Sequence, residues 1–158
     1  MKIRSLARKD RARLLSLLIE TKAFTAQEID VAMELIDIVL KNKDQKDYKI
    51  ECAVNEKDEV LGYVCYGPSP MTQGTFDLYW IAVSPASHDR GIGSALLGVV
   101  EEEAKGNKGR MILADTSSTP QYEKARRFYL QKRFREIARV PDYYSRGNDR
   151  ITFWKRLI

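Results

Sequence analysis

Hydrophobic and polar positions along this chain switch between two periods, and the switches mark the elements. Leu78 to Val83 (LYWIAV) is a short apolar run, β-branched and aromatic, which predicts a strand buried on both faces. From Gly91 onward the period becomes helical. Ile92, Ala95, Leu96, Val99 and Val100 fall at i, i+3, i+4, i+7 and i+8 and form one stripe, with Glu101 to Glu103 returning to solvent. Upstream, Lys2 to Leu6 reads as a first strand, and Lys9 to Glu20 as a helix with Leu14, Leu15, Leu18 and Ile19 as its apolar face. Thr25-Ala26-Gln27-Glu28 is a capping box that should open a second helix running to about Lys41.

After the polar break at Asn42 to Asp47, Tyr48 to Val54 and Glu59 to Tyr66 alternate around Asn55-Glu56-Lys57-Asp58 and predict a hairpin. Pro68 and Pro70 interrupt regular structure, and Gly74 restarts the chain into the strand that ends at Val83. Beyond the Gly91 helix come a strand at Arg110 to Asp115, a helix at about Pro120 to Gln131, and strands at Arg135 to Val140 and Ile151 to Leu157. The order β-α-α-β-β-β-α-β-α-β-β predicts an α+β protein with a mixed sheet and helices on both faces. Nothing in the 158 residues reads as a repeat, a low-complexity tract or a linker, so a single domain spanning residues 1–158 is expected.

The glycines Gly91 and Gly93 sit where the helix begins. A helix N-terminus carries unpaired backbone N–H groups and the positive end of the macrodipole, and glycine lets a phosphate approach without a side chain intervening. A Walker loop needs Gly-x-x-x-x-Gly-Lys-Ser/Thr, which the sequence lacks. A dinucleotide loop needs Gly-x-Gly-x-x-Gly tight against its strand and an acid about twenty residues on, and Asp115 partly supplies that acid. Against it, Leu96 holds the third glycine position, and Ser84 to Arg90 separate the strand from Gly91.

Two patches, taken together, narrow the choice. Val83-x-Pro85-x-x-His88-Asp89-Arg90-Gly91-Ile92-Gly93-Ser94-Ala95-Leu96 resembles the acyl-CoA loop of the GNAT superfamily of N-acetyltransferases, whose core pattern is Gln/Arg-x-x-Gly-x-Gly/Ala. About 30 residues later, Tyr122-Glu123-Lys124-Ala125-Arg126-Arg127-Phe128-Tyr129, followed by Lys132-Arg133-Phe134, is similar to that family's Asn-x-x-Ala-x-x-Phe-Tyr and x-x-x-Gly-Phe segments. The resemblance covers Phe76 to Val140, and the N-terminal third only in general layout. Three positions depart from the pattern: His88 stands where Gln or Arg is usual, Tyr122 where Asn is usual, and Arg133 where Gly is usual.

The resemblance implies a mostly antiparallel central sheet of about seven strands and acetyl-CoA as cosubstrate. It places the pantetheine arm along the backbone of Ile81, Ala82 and Val83, and the pyrophosphate on the amides of Arg90, Gly91, Ile92, Gly93 and Ser94. His88 could add a donor to that loop, Asp89 should face solvent, and Arg126 falls near a CoA phosphate. Tyr129 takes the position of the residue that protonates the leaving thiolate. Asp77, four residues before Ile81, matches the carboxylate that one branch of the family uses as base, with a side chain one methylene shorter. A homodimer is a further expectation from the look-alikes.

The chemistry of acyl transfer agrees with those residue types. An alkyl amine of pKa about 10.4 must lose a proton before attacking a thioester. A phenol of pKa about 10 giving its proton outright to a thiolate of pKa about 8.5 is uphill by roughly 2 kcal/mol, so a hydrogen bond that tightens as charge builds on sulfur is the expected contribution. Val83 N–H is the expected oxyanion donor. Val140 to Asp149 and Glu20 to Thr25, rich in aromatic and charged residues, are candidate walls for the amine, a small molecule, an amino acid or a peptide.

Composition changes the picture only in part. The net charge of +5, from 27 Lys plus Arg against 22 Asp plus Glu, suits an anionic ligand. The basic residues are dispersed among acids, so a nucleic-acid partner is not expected. Two cysteines, Cys52 and Cys65, without CxxC spacing, and a single histidine leave no metal pattern and suggest reduced core thiols. The N-terminus lacks an apolar leader and no run is long enough to cross a bilayer, so a cytoplasmic location without membrane association is the expectation. Two other functions stay in view: a noncatalytic acyl-CoA sensor and a nicotinamide-dependent oxidoreductase.

Overall fold

The computed structural model describes residues 1–157. Among them seven strands and four α-helices follow in the order β1 (Lys2–Ser5), α1 (Arg11–Glu20), α2 (Ala26–Lys41), β2 (Lys49–Val54), β3 (Val60–Pro68), β4 (Thr75–Val83), α3 (Ile92–Gly106), β5 (Met111–Ser117), α4 (Glu123–Gln131), β6 (Arg135–Ser145) and β7 (Asn148–Arg156). The strands form one sheet in the order β1-β2-β3-β4-β5-β7-β6. The β1–β2, β2–β3, β5–β7 and β6–β7 pairs are antiparallel and β4–β5 is parallel, so the fold is α+β with a mostly antiparallel sheet. The β4–β5 register runs from Thr75↔Met111 to Asp77↔Leu113, and β4 continues as strand to Val83. No described helix is long and apolar enough to cross a membrane.

The chain divides into two compact units, Met1–Gly67 with Tyr79–Val100, and Pro68–Leu78 with Glu101–Ile158. In the first, α1 and α2 pack on the sheet face that carries Ile50, Cys52, Val54, Tyr63, Cys65 and Ala82. Leu14, Leu17, Leu18 and Ile36 are fully buried there, each side chain stabilising the fold by about 2 kcal/mol. The α1 face is turned from the predicted one: Leu17 is buried and Ile19 is 57% exposed, because the helix meets the core along Leu14, Leu17 and Leu18. Thr25 opens α2 as the pattern required. Its Oγ1 accepts from Glu28 N–H at 3.1 Å while Thr25 N–H donates to Glu28 Oε1 at 2.9 Å.

The opposite face of the first unit receives the start of α3 through a close approach at Gly62. A Cβ there would stand 2.9 Å from Ala82 O and 3.2 Å from Ile92 Cγ2, so only glycine lets α3 seat against β3 and β4. The α3 stripe is also rotated from expectation. Ile92, Leu96, Leu97, Val100 and Ala104 are buried, whereas Ala95 and Val99 are half-exposed.

In the second unit, strand parity sorts the side chains. Phe76, Ile112, Ala114, Thr116, Ile151 and Phe153 share one face and are all buried. Both helical pieces of this unit lie on that face: Tyr129 of α4 stacks on Phe153 at 5.6 Å, and Glu101 of α3 pairs with Lys155 at 2.6 Å. The other face, with Asp77, Leu113, Ser117, Arg150 and Trp154, carries no helix of this unit. The segment expected to be a loop between the last strands is instead a long hairpin. β6 reaches Ser145 and β7 begins at Asn148, because Asp149 Oδ1 accepts from Asp142 N–H at 2.8 Å and Asp142 Oδ1 from Gly147 N–H at 2.7 Å, tying the two arms at a tip where Gly147 has φ 82°.

Candidate active site

In the first unit the site begins where β4 ends. Ser84 N–H donates to Leu61 O at 2.8 Å, so main-chain groups of Ser84 and, by alternation, Ala82 face β3, while those of Ile81 and Val83 project from the other edge. Ser84 is buried, and Arg13 of α1 reaches it with Nη2 at 3.4 Å from Ser84 Oγ, while its Nε donates to Val60 O at 3.2 Å. One turn of 3-10 helix, Pro85–Ser87, follows, closed by Ser87 N–H to Ser84 O at 2.9 Å.

His88 then folds back, with Nε2 3.0 Å from Val83 O. A carbonyl only accepts, so Nε2 carries the donated proton and the ring is a clasp on the strand end. That is a different partner from the phosphate assigned to it by resemblance. Asp89 is exposed with φ 64°, and Gly91 has φ 75°. A Cβ on Gly91 would meet nothing within 4 Å, so the space above the helix start is open. The first intrahelical bond there is Ala95 N–H to Gly91 O at 3.0 Å, so the N–H groups of Ile92, Gly93 and Ser94 have no acceptor in the preceding turn. Ile92 itself is a core side chain, 2% exposed, and can offer only its backbone. The result is three donors without acceptors at the positive end of a 15-residue helix, beside open space, an arrangement that favours an anion.

In the second unit, α4 presents Tyr129. Its ring is 4% exposed, wedged against Phe134 at 5.1 Å and Phe153 at 5.6 Å, and burial raises its phenol well above the ordinary value. The phenol makes no hydrogen bond among the described residues. The end of α4 explains why Arg133 replaces glycine at a cost. Phe134 N–H donates to Tyr129 O at 2.9 Å and Arg133 N–H to Leu130 O at 3.2 Å, the Schellman arrangement, which places Arg133 in the left-handed region at φ 70°. The accompanying apolar contact is the Tyr129–Phe134 ring pair itself, so the cap that ends the helix also fixes the tyrosine.

Arg126 is tied to the main chain. Its Nη1 donates to Ser117 O at 2.6 Å and Thr119 O at 2.8 Å, pinning α4 to the end of β5 and leaving Nε and Nη2 for other partners. Asp77 is half-buried on β4, and strand parity sets it on the face opposite Tyr129. Among the described residues no group of three or more His, Cys, Asp and Glu side chains could hold a metal. Cys52 and Cys65 are fully buried, and burial pushes each thiol up to about 12.

Sequence reading missed the Arg13–Ser84 contact, which joins residues 71 positions apart and leaves no local signature. It also missed Arg150, although the alternation Arg150-Ile151-Thr152-Phe153-Trp154 was available to show that its face differs from the core face.

The model of the acetyltransferase (GNAT) family matches residues 13–134. Among solved structures, an acetyltransferase assigned to the GNAT family from Desulfovibrio desulfuricans superposes with a TM-score of 0.92 at 35% identity, covering 99% of both chains. An aminoglycoside 6'-N-acetyltransferase complexed with coenzyme A superposes with a TM-score of 0.76 at 17% identity, over 100% of this chain and 98% of that one. Ard1 from Thermoplasma volcanium also gives 0.76 at 17% identity, over 99% of this chain and 97% of that one, and at such identity both likenesses concern the fold alone. A search of curated proteins found no match.

Proposed function

The chain belongs to the acetyltransferase (GNAT) family, and from that membership we propose that it moves an acetyl group from acetyl-CoA to a primary amine by direct attack. The observation that carries the reading is the uncapped start of α3, where the N–H groups of Ile92, Gly93 and Ser94 stand without acceptors beside the open space over Gly91. A diphosphate suits that helix start, since backbone donors and the helix dipole reward negative charge and no side chain blocks its approach. Arg90, exposed beside the loop, adds positive charge, and exposed Asp89 can turn to solvent. The main chain of Ile81 and Val83, projecting away from β3, offers donors and acceptors to an amide-bearing arm, with Val83 N–H available to the developing oxyanion.

The substrate amine loses its proton to Asp77, directly or through one water. Its lone pair then attacks the acetyl carbon, the carbon–sulfur bond breaks as the intermediate collapses to the amide, and the second N–H proton, shed by the nitrogen to water, ends on the departing thiolate. Tyr129 supports that departure. Burial makes its proton harder to give up, so it stabilises the sulfur by a tightening hydrogen bond. The placement of Asp77 and Tyr129 on opposite sheet faces suits an amine arriving from one side and a thiolate leaving toward the other. Direct attack is favoured over an acyl-cysteine route because both thiols are sealed in the core and protonated at neutral pH.

The acceptor class is a small-molecule amine or amino acid. Purified protein should bind coenzyme A by calorimetry and release free thiol from acetyl-CoA when an accepted amine is added. Absence of coenzyme A uptake at millimolar concentration refutes the proposal, and uptake without thiol release across a broad amine set converts it to a sensor.

A further inference from the structure

The face of the second unit that carries Asp77 ends in a positive charge without a counterion among the described residues. Arg150 of β7 is half-buried, its guanidinium lies 4.5 Å from the Tyr143 ring, and its Nε is fully buried with no hydrogen-bond partner among the described residues. It makes no ion pair among those residues either.

The nearby acids are already committed. Asp149 accepts from Asp142 N–H and, at 2.8 Å, from Arg139 Nε; Asp142 accepts from Gly147 N–H; Asp115, on the face of Arg150, accepts from Thr152 Oγ1 at 2.6 Å. Ser117, the cross-strand neighbour of Arg150, donates through Oγ to Asn148 Oδ1 at 2.5 Å, which leaves the Asn148 amide nitrogen as a further donor on the same face. A half-buried guanidinium without an acid is costly, and its planar N–H groups match a carboxylate in bidentate geometry.

We propose that Arg150, held on Tyr143, anchors a carboxylate carried by the amine acceptor, so that the substrates of this enzyme are carboxylate-bearing amines. The inference rests on the acetyltransferase reading and deepens it. Strand parity puts Arg150 on the same sheet face as Asp77, so one acceptor can present its amine and its anion to a single face. From Asp77 to Arg150 is two strands across and four residues along, about 16 Å between Cα atoms. That spacing calls for an extended molecule whose amine lies several bonds from its carboxylate. The chain's charge of +5 agrees, since it repels a polycationic acceptor and does not repel a zwitterion.

The test compares thiol release from acetyl-CoA with 6-aminohexanoate and with hexylamine. In the unaltered protein kcat/KM should favour 6-aminohexanoate about tenfold or more, and hexanoate should inhibit in competition with the amine and not with acetyl-CoA. Arg150→Gln should remove that preference, leave kcat/KM for hexylamine within twofold, and leave the KM for acetyl-CoA unchanged; Arg150→Lys should recover part of it. No preference in the unaltered protein, which needs no variant to fold, overturns the inference, as does a preference that survives Arg150→Gln. A raised KM for acetyl-CoA in Arg150→Gln also overturns it, by assigning the anion to the cosubstrate. A protein that releases thiol with no amine at all overturns the transferase reading and this inference with it, whereas release without carboxylate preference overturns this inference alone.

Discussion

Replacing Arg133 with glycine should make this protein more stable without adding a contact. Arg133 holds φ at 70° because the α4 cap demands it, and its exposed side chain makes no hydrogen bond or ion pair among the described residues. A non-glycine residue in the left-handed region costs about 1–2 kcal/mol. Glycine removes that strain and returns part of the gain through the larger entropy of its unfolded chain, about 0.5–1 kcal/mol. The difference leaves a net stabilisation of about 0.5–1 kcal/mol, which for a chain of this length raises Tm by about 1–4 °C.

Arg133→Ala is the control, since alanine keeps the strain and loses the same side chain. Urea denaturation of the three proteins, with m-values checked for constancy, separates the backbone term from the side-chain term. Should Arg133→Gly prove no more stable than Arg133→Ala, the left-handed strain is not what distinguishes this position and the argument fails. The same cap places Tyr129 O at its anchor, so Arg133→Gly should leave kcat unchanged.

Three other outcomes are expected. Tyr129→Phe should lower kcat by about ten- to a hundredfold, the worth of one hydrogen bond to a charged sulfur, with the Kd for coenzyme A by calorimetry within twofold. Gly91→Ala should cost about 1 kcal/mol of stability through its φ of 75° and weaken coenzyme A binding, whereas Gly98→Ala, inside α3 with open space around it, should gain about 0.5–1 kcal/mol in the same melt. Alkali should unfold the protein by way of its thiols: burial raises Cys52 and Cys65 to about 12 from an ordinary 9.0, so their contribution is complete below about pH 9 and drains away as pH rises toward 12. Denaturation midpoints measured from pH 8 to pH 11 should fall, and rapid native-state labelling by a thiol reagent at pH 8 would contradict the assignment.

Local pattern carried most of the elements. The Thr25–Glu28 box, the β2–β3 hairpin and the strand–glycine–helix run around Gly91 each depend on residues within a few positions of one another, so their physics is written in order along the chain. Periodicity located Gly91 and Gly93 at the helix start, and resemblance singled out Tyr129. The departure at Arg133 was visible as an oddity, and its strain became legible only with the φ angle.

What the sequence by itself determined is therefore the set of elements, the α+β class and the donor-rich helix start, because periodicity, capping and glycine chemistry act over one or two turns. Only the tertiary structure decided that His88 clasps Val83 O, that Arg13 reaches Ser84, that Ile19 faces solvent, and that Asp77 and Arg150 share a face opposite Tyr129. Those facts depend on register and on the rotation of each helix about its axis. A shift of one residue in a strand, or some 100° in a helix, would reverse them without changing a letter of the local pattern.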